Sequence, residues 1–187
     1  SVWVDGSILI KKDLTSLIEK HFKYKNNKLI VFGHSKRNCI YKEAKACINK
    51  NKAKKSIINK QIELYRKENY PSENGLIESG VIIRNHNDIK VKKVMKDWWK
   101  EISFKSCRDQ LSFNYSVWKN NYNYTLIENG SSIKDNQYFE VLTHKEKGFK
   151  NIFYFVRNFL VINKEKNKTF NLIYKYSKII WNIKKVK

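Results

Sequence analysis

Short apolar runs typical of strands alternate along this chain with longer segments in which apolar residues recur every three or four positions. The apolar runs occupy residues 2–4, 29–32, 76–84 and 124–127, and the helical patterns occupy residues 12–20, 39–66, 91–102 and 107–117. Such alternation is typical of α/β domains, in which helices cover the faces of a sheet. The chain has 187 residues, enough for one such domain, and we predict a mixed sheet flanked by helices.

The first apolar run ends at an acidic residue, Asp5, which is followed by Gly6. Val2, Trp3 and Val4 favour a buried strand, and Gly6 suits a sharp turn at its end. Ligands of open α/β sheets bind beyond the carboxyl ends of strands, so Asp5 is a candidate ligand for a metal or a sugar. The alternative is an aspartate that only starts a turn or caps the next helix.

Two further positions stand out because of their place in the predicted elements. Ser79 and Gly80 interrupt the strand pattern at 76–84, and a glycine inside a strand often marks a bulge or the close approach of a ligand. Asp109 begins a helical pattern, where the helix dipole favours a negative charge. Asp109 is therefore either only a helix-start charge or a candidate functional carboxylate.

The net charge of +22 requires an anionic partner: nucleic acid, an anionic membrane or a phosphorylated substrate. Residues 145–187 contain 12 Lys or Arg against 2 acids. Because basic residues alternate with aromatic and aliphatic ones from residue 149 onward, we predict an amphipathic tail that lies on an anionic bilayer surface. The alternative is a pair of helices packed on the domain or on another subunit.

Other classes of protein fit the sequence less well. No run approaches the roughly 18–20 apolar residues that span a bilayer. A nucleic-acid groove requires basic and aromatic residues on one surface, whereas the basic tail is predicted to be peripheral, so we do not expect nucleic acid as the partner. Three cysteines at spacings that match no zinc pattern favour reduced thiols in a cytosol-like compartment.

Several motifs, in a fixed order over residues 1–127, resemble the glycosyltransferase-like domain of the TOD/MUCI type. They are Val-Trp-Val-Asp-Gly-Ser at 2–7, His34-x-x-Arg37, Tyr41-x-Glu43-Ala44, Gln61-x-x-x-Tyr65, Pro71-x-x-x-Gly75-Leu76-x-Glu78, Val81-Ile82-Ile83-Arg84-x-His86-Asn87, Trp98-Trp99, and Ser106-x-Arg108-Asp109-Gln110-Leu111-Ser112-Phe113. The resemblance implies a fold similar to the GT-A nucleotide-sugar transferases. It implies transfer of an activated sugar to a glycan or lipid-linked acceptor in surface polysaccharide synthesis.

The resemblance also implies a cofactor, Mn²⁺ or Mg²⁺, held with the diphosphate of the nucleotide-sugar donor. Asp5 takes the place of one acid of an Asp-x-Asp motif, but the position two residues earlier is Trp3, so a single acid stands there. A divalent cation prefers oxygen ligands and would neutralise the leaving diphosphate. His144, with Gly148 and Lys150 after it, resembles a metal-and-phosphate element at altered spacing, and the alternative is a surface histidine.

The roles of individual residues follow from the same resemblance and from their positions at strand ends and helix starts. We predict Asp109 and Glu78 as catalytic residues, and Asp5 and His144 as metal ligands. The predicted substrate-binding residues are Asp5, Gly6, His34, Arg37, Ser79, Gly80, Arg84, Trp99, Arg108 and Gln110.

Members of this family have nucleotide-binding strands before the stretch that corresponds to residues 2–5. On this resemblance, the chain corresponds to the C-terminal two thirds of the domain and is expected to lack the first nucleotide-binding strands. We predict a glycosyltransferase-like part at 1–148, a basic helical tail at 149–187, and a place in the cytoplasm at the inner face of the membrane. An inactive transferase-like scaffold, whose tail binds a membrane or a partner enzyme, is the remaining alternative.

Overall fold

The computed structural model describes residues 1–23, 27–127, 132–134, 136–142 and 150–183. The chain divides into two compact units, the first made of residues 1–5 and 12–138 and the second of residues 6–11 and 139–187. The domain boundary at 148/149 stays a prediction. The second unit combines an early segment, residues 6–11, with the C-terminal part of the chain from Phe139 onward.

Strands and helices alternate through most of the described chain. The strands are β1 (Val2–Val4), β2 (Ile8–Ile10), β3 (Leu29–Gly33), β4 (Ile77–Arg84), β5 (Thr125–Leu126) and β6 (Phe139–Val141). The helices are α1 (Thr15–Phe22), α2 (Ile40–Asn49), α3 (Lys55–Lys67), α4 (Ile89–Phe104), α5 (Asp109–Lys119), α6 (Lys150–Asn163) and α7 (Lys168–Ile183).

A mixed four-stranded sheet in the order β1-β4-β3-β5 forms the centre of the first unit. β4 is antiparallel to both β1 and β3, and β3 is parallel to β5. Residues 29–32 of β3 are buried throughout, as expected for an inner strand of a sheet covered by helices. The predicted fold class, an α/β protein with a mixed sheet flanked by helices, is thus confirmed.

Apolar side chains of the helices pack in two clusters. One joins α2, α3 and α5, and at its centre the buried rings of Tyr65 and Tyr115 stack with centroids 3.7 Å apart. The other joins β3 and β4 to α4 and α5, where Trp98 meets Phe113 edge to face with centroids 5.1 Å apart. α5 therefore packs both against the sheet and against α2 and α3.

The opening strand differs from the sequence-based expectation. Trp3 is 54% exposed because β1 lies at the edge of the sheet, where, among the described strands, it pairs with β4 on one side. Gly6 has no left-handed backbone angle, and a Cβ added there would meet nothing within 4 Å. The expectation of a buried Trp3 was therefore wrong, whereas the expected turn is present at residues 6–7 but does not require the backbone freedom of glycine. Gly75, with φ at +82°, is the described glycine that needs its conformational freedom.

The second unit pairs β2 with β6 in an antiparallel ladder and adds the two tail helices, α6 and α7. Glu140 of β6 accepts hydrogen bonds from the ammonium group of Lys164 and, at 2.9 Å, from the hydroxyl of Tyr174. Burial raises the pKa of Glu140, but these partners outweigh it and lower the pKa below its usual range. The carboxylate therefore joins α7 and the residue that follows α6 to the strand pair.

None of the helices, over the part of the chain that the structure describes, is both long and apolar enough to cross a membrane.

Candidate active site

The hydroxyl of Ser79 and the carboxylate of Asp109 form the centre of the candidate site. Ser79 Oγ donates a hydrogen bond of 2.5 Å to Asp109 Oδ2. Ser79 lies in an irregular part of β4: Phe32 of β3 pairs with Glu78, but the next pair along the strands joins Val31 to Ile82. The bulge predicted from Ser79 and Gly80 is present, and it places a small polar side chain opposite the start of α5.

Asp109 is the first residue of α5, and its surroundings hold it in place. The backbone N–H of Gln110 donates to Asp109 Oδ1 at 2.9 Å, and the positive end of the helix dipole favours the carboxylate. The indole N–H of Trp98 donates to the Asp109 carbonyl at 3.0 Å. The side-chain amide of Gln110 donates to the carbonyl of Ile77 at 3.1 Å, which fixes the start of α5 against β4.

Asp5 lies beside the bulge, on the side of β4 that pairs with β1. Its backbone N–H donates to the carbonyl of Gly80 at 2.8 Å, immediately after the pair of Val4 and Val81. Asp5 is exposed, as expected for a residue just beyond the end of an edge strand. The structure thus places Asp5 next to Gly80 and Asp109 next to Ser79, at consecutive positions of β4, and their roles in substrate binding stay predictions.

Glu78 faces different partners from its neighbour Ser79, because successive residues of a strand point to opposite faces. One carboxylate oxygen accepts from the hydroxyl of Ser35 at 3.3 Å. The other accepts from the Ser132 hydroxyl at 3.0 Å and from the Ile133 N–H at 2.9 Å. Both carboxylate oxygens therefore hold loop segments in place, and this structural role alone would explain an acidic residue at position 78. The catalytic role of Glu78 stays a prediction.

His34, Arg37 and Glu43 form a compact charged group at the carboxyl end of β3. The Arg37 guanidinium donates from Nε to Glu43 Oε2 at 2.5 Å, and Glu43 is 5% exposed. His34 Nδ1 accepts from the backbone N–H groups of Lys36 and Arg37 at 3.1 and 3.2 Å. Burial, followed by the nearby Arg37 charge, lowers the pKa of His34, so the neutral imidazole is favoured.

Arg108 connects this charged group to the start of α5. Cys47 donates to Glu43 Oε1 at 3.3 Å, and burial and then Glu43 raise the pKa of the thiol, while Arg108 acts in the opposite direction. Arg108 Nε is buried and has no hydrogen-bond partner among the described residues. Arg108 is thus a cationic group next to Asp109 with unused donor capacity.

Other predicted site residues lie elsewhere or outside the description. Arg84 is at the far end of β4, where its Nε donates to the Ser1 hydroxyl at 3.2 Å. Trp99 is 68% exposed on α4, whereas the adjacent Trp98 is the one that contacts Asp109. Gly6 belongs to the second compact unit. His144 lies outside the described residues.

No group of three or more His, Cys, Asp or Glu within the described ranges could hold a metal ion. Asp5 contributes one carboxylate at the end of β1, beside Gly80. One carboxylate fits a cation of the Mg²⁺ kind, which usually takes one or two protein carboxylates and draws its other ligands from substrate phosphates and water.

Two residues of the site were not predicted as functional from the sequence. Glu43 was part of a quoted motif, and its signal is a charged residue at an otherwise apolar helical position, four residues before Cys47. Trp98 could not be distinguished from Trp99 by pattern alone, because adjacent helical residues point about 100° apart and either one can face the core.

The comparisons with known proteins agree with this architecture. A model of the TOD1/MUCI70 glycosyltransferase-like domain family matches residues 1–144. No curated protein and no solved structure matches the chain significantly. The family match spans all the described residues of the candidate site, from Asp5 to Asp109, and it supports a general transferase function. The chain belongs to the TOD1/MUCI70 glycosyltransferase-like domain family.

Proposed function

We propose that the protein transfers a sugar from a nucleotide-sugar donor to a glycan or lipid-linked acceptor in surface polysaccharide synthesis. The observation that supports this most directly is the hydrogen bond of 2.5 Å between Ser79 and Asp109, beside Gly80 and the strand end at Asp5. A carboxylate and a hydroxyl beside an irregular stretch of strand are suited to binding sugar hydroxyls.

In the proposed reaction the acceptor hydroxyl attacks the anomeric carbon of the donor sugar. A carbon–oxygen bond forms, the bond from that carbon to the diphosphate breaks, and the diphosphate leaves with the electron pair. Asp109 accepts the proton of the acceptor hydroxyl, which an oriented carboxylate within hydrogen-bond reach is able to do. Ser79 keeps Asp109 oriented and has lone pairs left to accept from a sugar hydroxyl.

Charged groups around this pair suit the donor. Arg108 directly precedes Asp109 and is half-buried, so its guanidinium charge would attract the donor phosphates. Arg37 is held by Glu43 and keeps the neighbouring loop in place. A divalent cation, if it is used, would be held by Asp5 together with the donor diphosphate, and it would supply charge neutralisation for the leaving group.

The test is made on the full-length protein with a panel of UDP- and GDP-sugars and Mn²⁺ or Mg²⁺. Calorimetric titration should give heat for at least one donor, and release of the nucleoside diphosphate should follow when glycan acceptors are added. Binding without release, unchanged by any acceptor, would favour the inactive scaffold. No heat for any donor would overturn the proposal.

We further propose that the tail holds the enzyme near its acceptor at the cytoplasmic face of an anionic membrane. α6 exposes Ile152, Phe155, Val156, Phe159 and Ile162 at intervals of three and four residues, so that they form one apolar face. α7 exposes Leu172, Ile173 and Tyr176 in the same manner. Basic residues occur in both helices, Lys150 and Arg157 in α6 and Lys168, Lys175 and Lys178 in α7, and they suit an anionic lipid surface.

Flotation with vesicles that contain anionic lipid tests the tail. Phe155→Asp should reduce the floated fraction because it places a charge in the apolar face. Ile89→Asp is the matched control, since Ile89 is 83% exposed on α4 and the change of charge is the same. Equal flotation of both variants and the parent protein, or flotation of a chain without residues 149–187, would refute the role of the tail.

A further inference from the structure

A cavity of about 590 Å³ opens on the first unit, and its lining includes neither Ser79 nor Asp109. Its volume falls within the range of roughly 300–1,000 Å³ that is usual for small-molecule sites. The lining combines asparagine side chains with aromatic and aliphatic ones: Asn74, Asn114, Val117, Trp118, Asn121, Tyr122, Asn123, Tyr124 and Leu126.

The cavity is built by the C-terminal half of α5 and the turn that follows it. Asn121 adopts a left-handed backbone with φ at 47°, which asparagine tolerates better than most residues, and this reverses the chain into β5. Gly75 faces Tyr124 so closely that a Cβ at Gly75 would lie 2.6 Å from the tyrosine hydroxyl. The tyrosine hydroxyl therefore takes up space that any residue other than glycine at 75 would fill.

Asn114 is a buried polar side chain with a hydrogen-bond acceptor that is left unpaired within the described part of the chain. It is 2% exposed, and its amide nitrogen donates to the Tyr124 hydroxyl at 2.8 Å and to the Asn74 carbonyl at 3.4 Å. Its Oδ1 atom has no hydrogen-bond partner among the described residues. Buried carbonyl oxygens are normally paired, so the unpaired Oδ1 makes this wall of the cavity polar.

The lining is also free of charge. None of the described lining residues is acidic or basic, although the chain has 39 Lys and Arg among 187 residues. A phosphate or an acidic sugar would find no cation in this lining to neutralise it. Each asparagine amide presents a donor beside an acceptor, which matches a pair of neighbouring sugar hydroxyls, and the rings of Trp118 and Tyr122 offer apolar surface to a sugar face.

We infer that this cavity binds a neutral sugar residue. The binding itself is independent of catalysis at Asp109. Its assignment to the acceptor glycan rests on the proposed transferase function, because the nucleotide diphosphate of the donor is excluded by the uncharged lining. α5 links the two places: Asn114 lies five residues after Asp109, a rise of about 7.5 Å along the helix.

The test is calorimetric titration of the full-length protein with neutral hexasaccharides of glucose, galactose, mannose and xylose. At least one should bind, and Asn123→Ala should weaken its affinity about tenfold, the effect of losing one or two well-placed hydrogen bonds. Asn123 is exposed, so the variant should fold. Asn87→Ala, at an exposed asparagine outside the cavity, is the matched control and should bind as the parent does.

Two further measurements separate this inference from the proposed function. Asp109→Asn should bind the hexasaccharide with unchanged affinity even when transfer is lost. Uridine and UDP are titrated in parallel, and binding of either that Asn123→Ala weakens would overturn the assignment to a sugar. Absence of binding for every neutral hexasaccharide, or equal affinity of Asn123→Ala, Asn87→Ala and the parent protein, would overturn the site.

Discussion

Ser79 donates its hydroxyl hydrogen to Asp109 across the gap between the bulge of β4 and the first turn of α5, at 2.5 Å. The two residues are thirty positions apart in the chain, and each depends on a local feature: an irregular strand register for Ser79 and a helix start for Asp109. This hydrogen bond therefore depends on how the sheet and α5 pack together, and its two residues are suitable positions for mutations that test function.

Asp109→Asn should abolish most of the proposed transfer. The amide keeps the shape of the carboxylate but cannot accept a proton, so we expect kcat/KM to fall by about 10²–10⁴-fold. Ser79→Ala should cost less, about tenfold, because it loosens the carboxylate without removing it. The measurement is release of the nucleoside diphosphate in the presence of the donor and acceptor found by the panel.

Asp97→Asn is the matched control for the loss of an aspartate. Asp97 lies on the surface of α4, where it pairs with Lys93 and Lys100 at 3.1 and 3.5 Å. Its replacement should leave kcat/KM within about twofold of the parent value, since surface ion pairs contribute little. An Asp109→Asn enzyme as active as the Asp97→Asn enzyme would exclude Asp109 from the chemistry.

The sequence predicted most of the elements because hydrophobic periodicity is a local property. The strand at β3 and the helices α4 and α5 have clear apolar patterns, and the interruption at Ser79 correctly predicted a bulge. β2 and β6 were missed, since strands of three residues have too few positions to show a period and they form only by pairing with each other.

The site was harder to predict than the fold, for a similar reason. The resemblance marked Asp5, Ser79 and Asp109 as site residues, and the structure joins Asp5 to Gly80 and Ser79 to Asp109 by hydrogen bonds. The partners of Glu78, by contrast, come from Ser35 and from residues 132–133, which no local pattern relates to it. Likewise the exposure of Trp3 depends on its strand lying at the sheet edge, a property of topology and not of composition.

Gly75→Ala should destabilise the first unit. Its φ of +82° disfavours any residue with a side chain, and the new Cβ would lie 2.6 Å from the Tyr124 hydroxyl and 3.1 Å from Asn114 Nδ2. We expect a loss of at least about 2 kcal/mol in the free energy of unfolding, from the backbone and the overpacking together. Denaturant unfolding followed by circular dichroism measures it.

Gly6→Ala is the control for that change. A Cβ at Gly6 meets nothing within 4 Å, and Gly6 has no positive φ. The free energy of unfolding should therefore shift by less than about 1 kcal/mol in either direction. If the two alanine variants unfold at the same denaturant concentration, the close contact at Gly75 is not a feature of the folded protein.

Arg37→Ala should destabilise the protein because it leaves Glu43 without its cation in a site where the carboxylate is 6% exposed. Removing one partner of a buried ion pair leaves an uncompensated buried charge, which costs more free energy than the pair contributes. Because Arg37 itself is partly exposed, the expected loss is moderate, about 2–3 kcal/mol. Thermal unfolding at neutral pH measures the change.

Lys67→Ala breaks a different kind of ion pair and serves as the comparison. Lys67 and Glu63 are 3.2 Å apart on the surface of α3, and both side chains are well exposed. The expected loss is below about 0.5 kcal/mol. Equal effects of Arg37→Ala and Lys67→Ala on the free energy of unfolding would show that Glu43 does not depend on its partner.

His34 should make the folded protein sensitive to mild acid. Burial and the Arg37 charge lower the pKa of His34 in the folded state, although Glu43 and Glu78 act in the opposite direction. The unfolded chain, with a His pKa of about 6.5, therefore binds a proton at a higher pH than the folded protein does. The stability that the neutral imidazole contributes is fully present above the unfolded pKa, and it is lost as the pH falls through the lower folded pKa.

His34→Asn is the variant that isolates this effect, because the asparagine oxygen can accept from the N–H groups of Lys36 and Arg37 as Nδ1 does. We expect the free energy of unfolding to fall less between pH 7.5 and pH 5 in His34→Asn than in the parent protein, since the variant no longer takes up that proton on unfolding. Urea unfolding at several pH values within this window supplies the comparison. Parallel curves for the two proteins would mean that His34 binds its proton equally well folded and unfolded, and the burial of its ring beside Arg37 would then have no energetic consequence.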